Sequence, residues 1–216
     1  MNTLDKNISE KIGVTIGMLM GDMSAYIKKG NKNGTFSLTH SPKQECYLEY
    51  KIELMKKIGI PFFKIGKRVT TLKNGKSYEQ LQTSSTVSKL AKALRKVMYT
   101  EDGVKIVTKK LLSKITDLGL LLWYLDDGYL SVIRKPNGDI KEYRTFMYTN
   151  CFTISEINLI KDWFEYKYDI SPNINKKEGK YILYFNSTKT RKLMNIFSKF
   201  DIPECMKYKI LSNHIV

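Results

Sequence analysis

Residues 121–130 read LLWYLDDGYL, an apolar run that ends on two adjacent aspartates and a glycine. The chain has only 21 Asp and Glu against 37 Lys and Arg, yet two of those acids stand side by side here. Residues 16–23 read IGMLMGDM, and the two stretches align at an offset of 105 positions that sets Asp22 on Asp127. Both read as buried helices, spanning about residues 12–22 and 116–127. Gly13, Gly17 and Gly21 line one face of the first, a spacing that lets two helix backbones approach closely. Each helix ends in a carboxylate, where the helix dipole is already negative and apolar flanks remove water. Two such carboxylates side by side need a cation between them. With hard oxygen ligands and no His or Cys pattern, that cation is Mg²⁺.

The offset extends beyond the paired helices. SYEQLQTSSTVSKLAKALRK from Ser77 resembles KYILYFNSTKTRKLMNIFSK from Lys180, at an offset of 103, with Leu90 on Leu193 and Lys96 on Lys199. KIGIPF near residue 57 echoes KYDISPN near 167. Two half-chains, 1–104 and 105–216, related by a pseudo-two-fold are the natural reading. In the first half, short strands follow the helix near 24–29 and 34–40. A second helix starts with Ser41 as N-cap and Pro42 at N1. Strands near 62–72 and 77–84 flank the Asn74–Gly75 turn, and a helix covers about 86–98. The second half repeats this, with strands near 129–134 and 140–149, a helix from Ser155, strands near 173–177 and 180–186, and a helix near 189–199. The pattern αββαββα, twice, with mostly antiparallel four-stranded sheets, predicts an α+β fold.

The formal net charge of +16 points to a polyanionic partner, nucleic acid before acidic membrane. A solvated, lysine-rich surface is the plainer alternative. The three cysteines, Cys46, Cys151 and Cys205, form no CxxC pair, so neither zinc nor a disulfide framework is expected and a reducing compartment fits. Two histidines are too few for a His-based metal site or a His triad. The longest N-terminal apolar run is too short to span a bilayer, and no signal peptide is evident.

IGMLMGDMSAYI and LGLLLWYLDDGYL resemble the paired signature helices of the LAGLIDADG homing endonucleases, in their single-chain, two-motif, group I intron-encoded form. The resemblance runs from about Ile12 to Ile210 and includes HSPKQECYLEY and the closing IPECMKYKI. It implies two saddle-shaped sheets packed through the signature helices, and a monomer. It also implies a Mg²⁺-dependent endodeoxyribonuclease with two or more ions at the helix interface, Mn²⁺ or Ca²⁺ substituting for binding. The metal acids would be Asp22 and Asp127, with Gly21 and Asp126 offering backbone carbonyls. Lys105 in GVKIV and Lys209 in MKYKI stand where the family carries its phosphate-site lysines, with Lys207 competing for the second place. Departures are the missing glycine after Asp22 and the packing face, where Leu118 and Leu122 are expected opposite Gly13 and Gly17.

The resemblance also implies β-ribbons in successive major grooves of double-stranded DNA. Candidate contacts are Lys64, Arg68, Lys76, Gln80 and Gln82 in the first half, and Arg134, Lys135, Lys141, Lys177 and Lys180 in the second. In the strand near 140–149 two faces compete for the DNA: Tyr143, Thr145 and Met147, or Arg144, Phe146 and Tyr148. The function implied is a double-strand break in a long target that promotes intron mobility. The alternatives on the same scaffold are a maturase binding its own intron RNA and a catalytically inactive DNA-binding protein. An organelle, a phage or a bacterial cytoplasm would be the setting, with no membrane partner.

Overall fold

The computed structural model describes residues 3–72 and 74–211. The first half runs α1 (Thr3–Met20), β1 (Ser24–Tyr26), β2 (Thr35–His40), α2 (Glu45–Lys57), β3 (Gly66–Thr71), β4 (Ser77–Ser84) and α3 (Lys89–Met98). A short α4 (Lys109–Leu112) leads into the second: α5 (Asp117–Asp127), β5 (Gly128–Arg134), β6 (Ile140–Tyr148), α6 (Ile154–Tyr168), β7 (Asn173–Lys177), β8 (Lys180–Phe185) and α7 (Ser187–Phe197). The αββαββα repeat is therefore present twice. The sheets have orders β1-β2-β4-β3 and β5-β6-β8-β7, the same order in each half, and every pair is antiparallel.

Local chemistry sets the boundaries. Thr116 caps α5 through the Gly119 N–H, and Ser88 and Asn186 cap α3 and α7 in the same way. Thr153 and Glu156 form a reciprocal capping box on α6. Ser41 and Pro42 open a 3-10 turn over Pro42–Gln44 rather than α2 itself, and the Ser41 side chain makes no cap hydrogen bond. The α1 helix starts nine residues earlier than the sequence suggests: residues 7–10 continue it as exposed turns ahead of the buried segment that begins at Gly13.

The seam between halves is the α1–α5 contact. A Cβ added to Gly17 would stand closer than 3.0 Å to the Gly119 backbone, and one on Gly13 would strike Lys114 and Thr116. The expected large-against-small pairing of Leu118 and Leu122 with Gly13 and Gly17 is thus replaced by Gly119 against Gly17. Across a two-fold axis, residues aligned in sequence meet only on the axis itself. The aligned pair Gly21 and Asp126 does meet, so the axis passes near the helix ends. Ile16, Leu19, Leu120 and Trp123 are fully buried in one core that joins the halves.

A disulfide joins Cys46, at the start of α2, to Cys205 in the 3-10 turn Glu204–Lys209. This corrects the expectation of no disulfide and removes the cysteine argument for a reducing compartment. A separation of 159 residues concealed it. Cys151 is free.

Candidate active site

Both signature helices deliver their acids to the seam. Asp22 follows the end of α1, and its side chain is half-exposed. Its N–H donates to the Asp126 carboxylate at 2.8 Å, a bond that crosses from one half to the other. Burial, with the Asp126 charge second, raises the Asp22 carboxyl above its ordinary range. Asp127, the last residue of α5, is pushed up to about 7 by burial first and by the Asp126 and Asp22 charges next. Two acids that resist ionisation together are what the repeat arithmetic anticipates.

Behind each acid stands a lysine. Lys105 Nζ donates to the Gly21 carbonyl, and Lys209 Nζ donates to the carbonyls of Leu125 at 2.7 Å and Asp126 at 3.2 Å. The two lysines are therefore equivalent under the pseudo-two-fold, each on the carbonyl before the opposite or adjoining acid. Burial lowers the pKa of both. Lys209 is 8% exposed and its own carbonyl is fixed by the Tyr124 hydroxyl at 2.7 Å. Lys207 points outward and pairs with Glu204, which leaves Lys209 as the lysine at the seam. The Gly21 and Asp126 carbonyls, expected to face a metal, both accept from lysine.

Three residues in the site gave no signal in the sequence. Lys51 of α2 is fully buried and pairs with the equally buried Asp126 carboxylate at 2.5 Å. The Tyr47 hydroxyl donates to the same carboxylate at 2.9 Å. Lys51 also lies 3.1 Å from His40 Nε2, and His40 Nδ1 is 3.8 Å from Asp22. Burial, then the Lys51 charge, holds His40 down at about 4, so its ring is neutral at pH 7. His40 Nδ1 is buried without a hydrogen-bond partner. Ligand atoms of Asp22, His40 and Asp126 lie within 4.8 Å of one another.

Each sheet buries one face under helices and leaves the other open. In β6, Tyr143, Thr145 and Met147 are buried, so the face bearing Arg144, Phe146 and Tyr148 is the open one. Register places Arg68 opposite Gln80 and Gly66 opposite Gln82, which puts Arg68, Gln80 and Gln82 together on the open face of the first sheet. Lys64 and Lys76 are exposed in the segments flanking β3 and β4. Arg134, Lys135 and Lys141 are exposed at the β5–β6 hairpin, and Lys177 and Lys180 form the last pair of β7–β8.

Two like halves, joined through glycine-tight helices that each end in an acid backed by a lysine, define a two-motif nuclease scaffold. The chain belongs to the LAGLIDADG DNA endonuclease family, whose profile matches residues 12–193. It is 28% identical over 201 residues to the probable intron-encoded endonuclease 1 of Wickerhamomyces canadensis, covering 92% of this chain and 82% of that protein. It is 26% identical over 210 residues to the cytochrome b mRNA maturase bI2 of Debaryomyces hansenii, covering 96% of this chain and 74% of the maturase. Protein RecA of Mycolicibacterium flavescens matches at 26% over 208 residues, and the chain spans 46% of its length. Among solved structures, the homing endonuclease I-WcaI bound to its DNA recognition sequence superimposes with a TM-score of 0.79. That match has 21% identity and covers 95% of this chain and 87% of I-WcaI. No described helix is long and apolar enough to cross a membrane.

Proposed function

We propose that this chain is a site-specific homing endonuclease that cuts both strands of a long DNA target by divalent-metal-dependent phosphodiester hydrolysis, promoting intron mobility. The supporting observation is the duplicated seat at the seam: an acid at each helix end with a buried lysine on a neighbouring carbonyl. The halves divide at 1–104 and 105–216, and a single chain supplies both seats. I-WcaI, of like fold, is described as bound to DNA, and the charge of +16 suits the same partner here.

The residues present suit a divalent ion. Asp22 and Asp127 are carboxylates whose pKa is raised by burial and next by the Asp126 charge, and an unpartnered His40 nitrogen points at the first. Asp22 and Asp127 would hold Mg²⁺, with Gly21 and Asp126 beside them and Mn²⁺ or Ca²⁺ able to replace it for binding. When bound, the ion supplies an activated water and stabilises the leaving oxygen. Lys105 and Lys209 hold the scissile phosphates and stabilise the charge that develops on them. Both are preset by their carbonyl contacts, so little reorganisation accompanies the reaction. Asp126 is held by Lys51 and Tyr47 and fixes the Asp22 backbone. Arg68, Gln80 and Gln82 suit base edges, while the lysines of both sheets suit phosphates.

The maturase relative favours a second reading, in which the same basic scaffold binds intron RNA and assists splicing. The two separate in one experiment. Plasmids carrying the uninterrupted host gene are incubated with wild type and Asp127→Asn, with and without Mg²⁺. Metal-dependent linearisation at one site, lost in the variant, is the expected result. Binding without cutting under any divalent metal overturns cleavage and moves the assignment to the maturase or to a catalytically inactive DNA-binding protein.

A further inference from the structure

Two residues beyond each signature acid, a row of side chains crosses the open face of its sheet. In the first half the row is Ser24, Ser37 and Ser84, in direct register across β1, β2 and β4. In the second half it is Tyr129, Phe146 and Tyr184, in direct register across β5, β6 and β8. The rings lie in contact, with centroids 6.4 Å apart for Tyr129–Phe146 and 5.3 Å for Phe146–Tyr184. Cross-strand aromatic pairs stabilise a sheet. That does not explain the difference, because the same row in the other half is built from serine. Nor does core formation, since Tyr129 is 49% exposed. Arg144 lies two residues from Phe146 along β6, opposite Ser131 and paired with Glu142, while Asn173 stands opposite Tyr184 at the far end of the row.

We infer that the two half-sites of the target are read by different chemistry, and that the aromatic row packs against thymine 5-methyl groups in the major groove. The inference rests on the DNA-binding reading above. The thymine methyl is the one apolar group that base pairs present in that groove. A continuous ring surface on the open face of the sheet suits it. The first half is polar on that face: Ser37 is buried on the Thr83 carbonyl, the Tyr26 hydroxyl lies 3.4 Å from Ser84, and Ser24, Thr39, Gln82 and Arg68 offer hydrogen bonds. Placed next to the acids, each row addresses the base pairs flanking the cut. The half-site under the second sheet is therefore thymine-rich there, and the half-site under the first is not selected for methyl groups.

The test uses the full chain in Ca²⁺. Duplexes bound from a randomised library are sequenced, and the preferred duplex is resynthesised with deoxyuridine for thymine in one half at a time. Removing methyls from the second half-site should weaken binding about 4-fold for each contacted methyl, and removing them from the first should not. Phe146→Ser, checked for unchanged unfolding temperature, should lose that sensitivity in the second half alone; Tyr129→Ser serves if Phe146→Ser unfolds. Duplex binding with equal deoxyuridine effects in both halves, or no thymine preference, overturns the inference and leaves the DNA reading standing. Binding of no duplex overturns both. If intron RNA binds instead and Phe146→Ser weakens it, the row stacks unpaired bases.

Discussion

The two acid seats share a backbone and differ in what lies beneath it. Under Asp22, α2 contributes Tyr47 and Lys51, both fully buried, and β2 contributes His40. Together they lock the Asp126 carboxylate, which in turn accepts the Asp22 N–H. Under Asp127 the corresponding helix α6 buries Ile157, Ile160, Trp163 and Phe164, all apolar. Asp127 thus has the Lys105 charge as its relief and the higher apparent resistance to ionisation, while Asp22 is tied into a network. Duplication fixed what both halves need, an acid and a lysine at a tight helix pair. Divergence then placed one buried ion pair across the seam, Lys51 of the first half on Asp126 of the second, beneath the Asp22 seat alone.

The largest test of this comparison is kinetic and strand-resolved. Asp22→Asn and Asp127→Asn should each slow cutting by at least about 10²-fold, the scale of removing one charge-stabilising group. With each strand labelled separately, a nicked product from either variant would show that the seats act independently. Loss of both cuts in both variants would mean that they share one metal centre.

Next in size is the ion pair. Lys51→Met leaves the Asp126 carboxylate buried and uncompensated, which should cost about 3–5 kcal/mol in urea unfolding. The double change Lys51→Met with Asp126→Leu should recover most of it, because a packed apolar pair is often as stable as a buried ionic one. Its Asp22 strand should still be cut more slowly than the Asp127 strand, since the N–H anchor is gone. Equal slowing of both strands would break the claimed asymmetry.

The disulfide crosses the same boundary, tying α2 of the first half to the turn that carries Lys209. Cys46→Ser or reduction should lower stability by about 2–4 kcal/mol, most of it through the unfolded chain. An unchanged unfolding midpoint under dithiothreitol would show that the bridge does not form in solution.

What the sequence made legible follows from repetition and periodicity. The offset of the acids is a repeat, the small-residue face of α1 is a spacing within one helix, and the lysine in GVKIV is placed by the family resemblance. The sheets followed from turn chemistry such as Asn74–Gly75, where Gly75 adopts φ +79. Lys51, His40 and the Cys46–Cys205 bridge were not legible, because each acquires meaning only through a partner far along the chain. The partners of Gly13 and Gly17 were misjudged for a related reason: sequence alignment of the halves gives equivalence, whereas packing across an axis depends on the crossing. The open face of β6 needed burial to decide, since its alternating residues are mixed on both sides.

The smallest expected effect isolates the bare Asp127 seat. Its carboxyl titrates near 7 in the folded protein against 3.8 for the ordinary group, so the folded state holds a proton that the unfolded chain has released. The Asp127 contribution to stability with the metal chelated is therefore full below about 4 and declines as pH rises toward 7, the reverse of a salt-bridged aspartate. Three units would amount to about 4 kcal/mol, and partial solvent access reduces this to about 2 kcal/mol. Asp127→Asn should flatten that slope, whereas Asp22→Asn, with Asp126 still held by Lys51, should flatten it less. Adding Mg²⁺ to wild type should restore stability mainly above pH 7, because there the ion takes the place of the proton. A metal effect independent of pH would mean that the ion does not sit on Asp127.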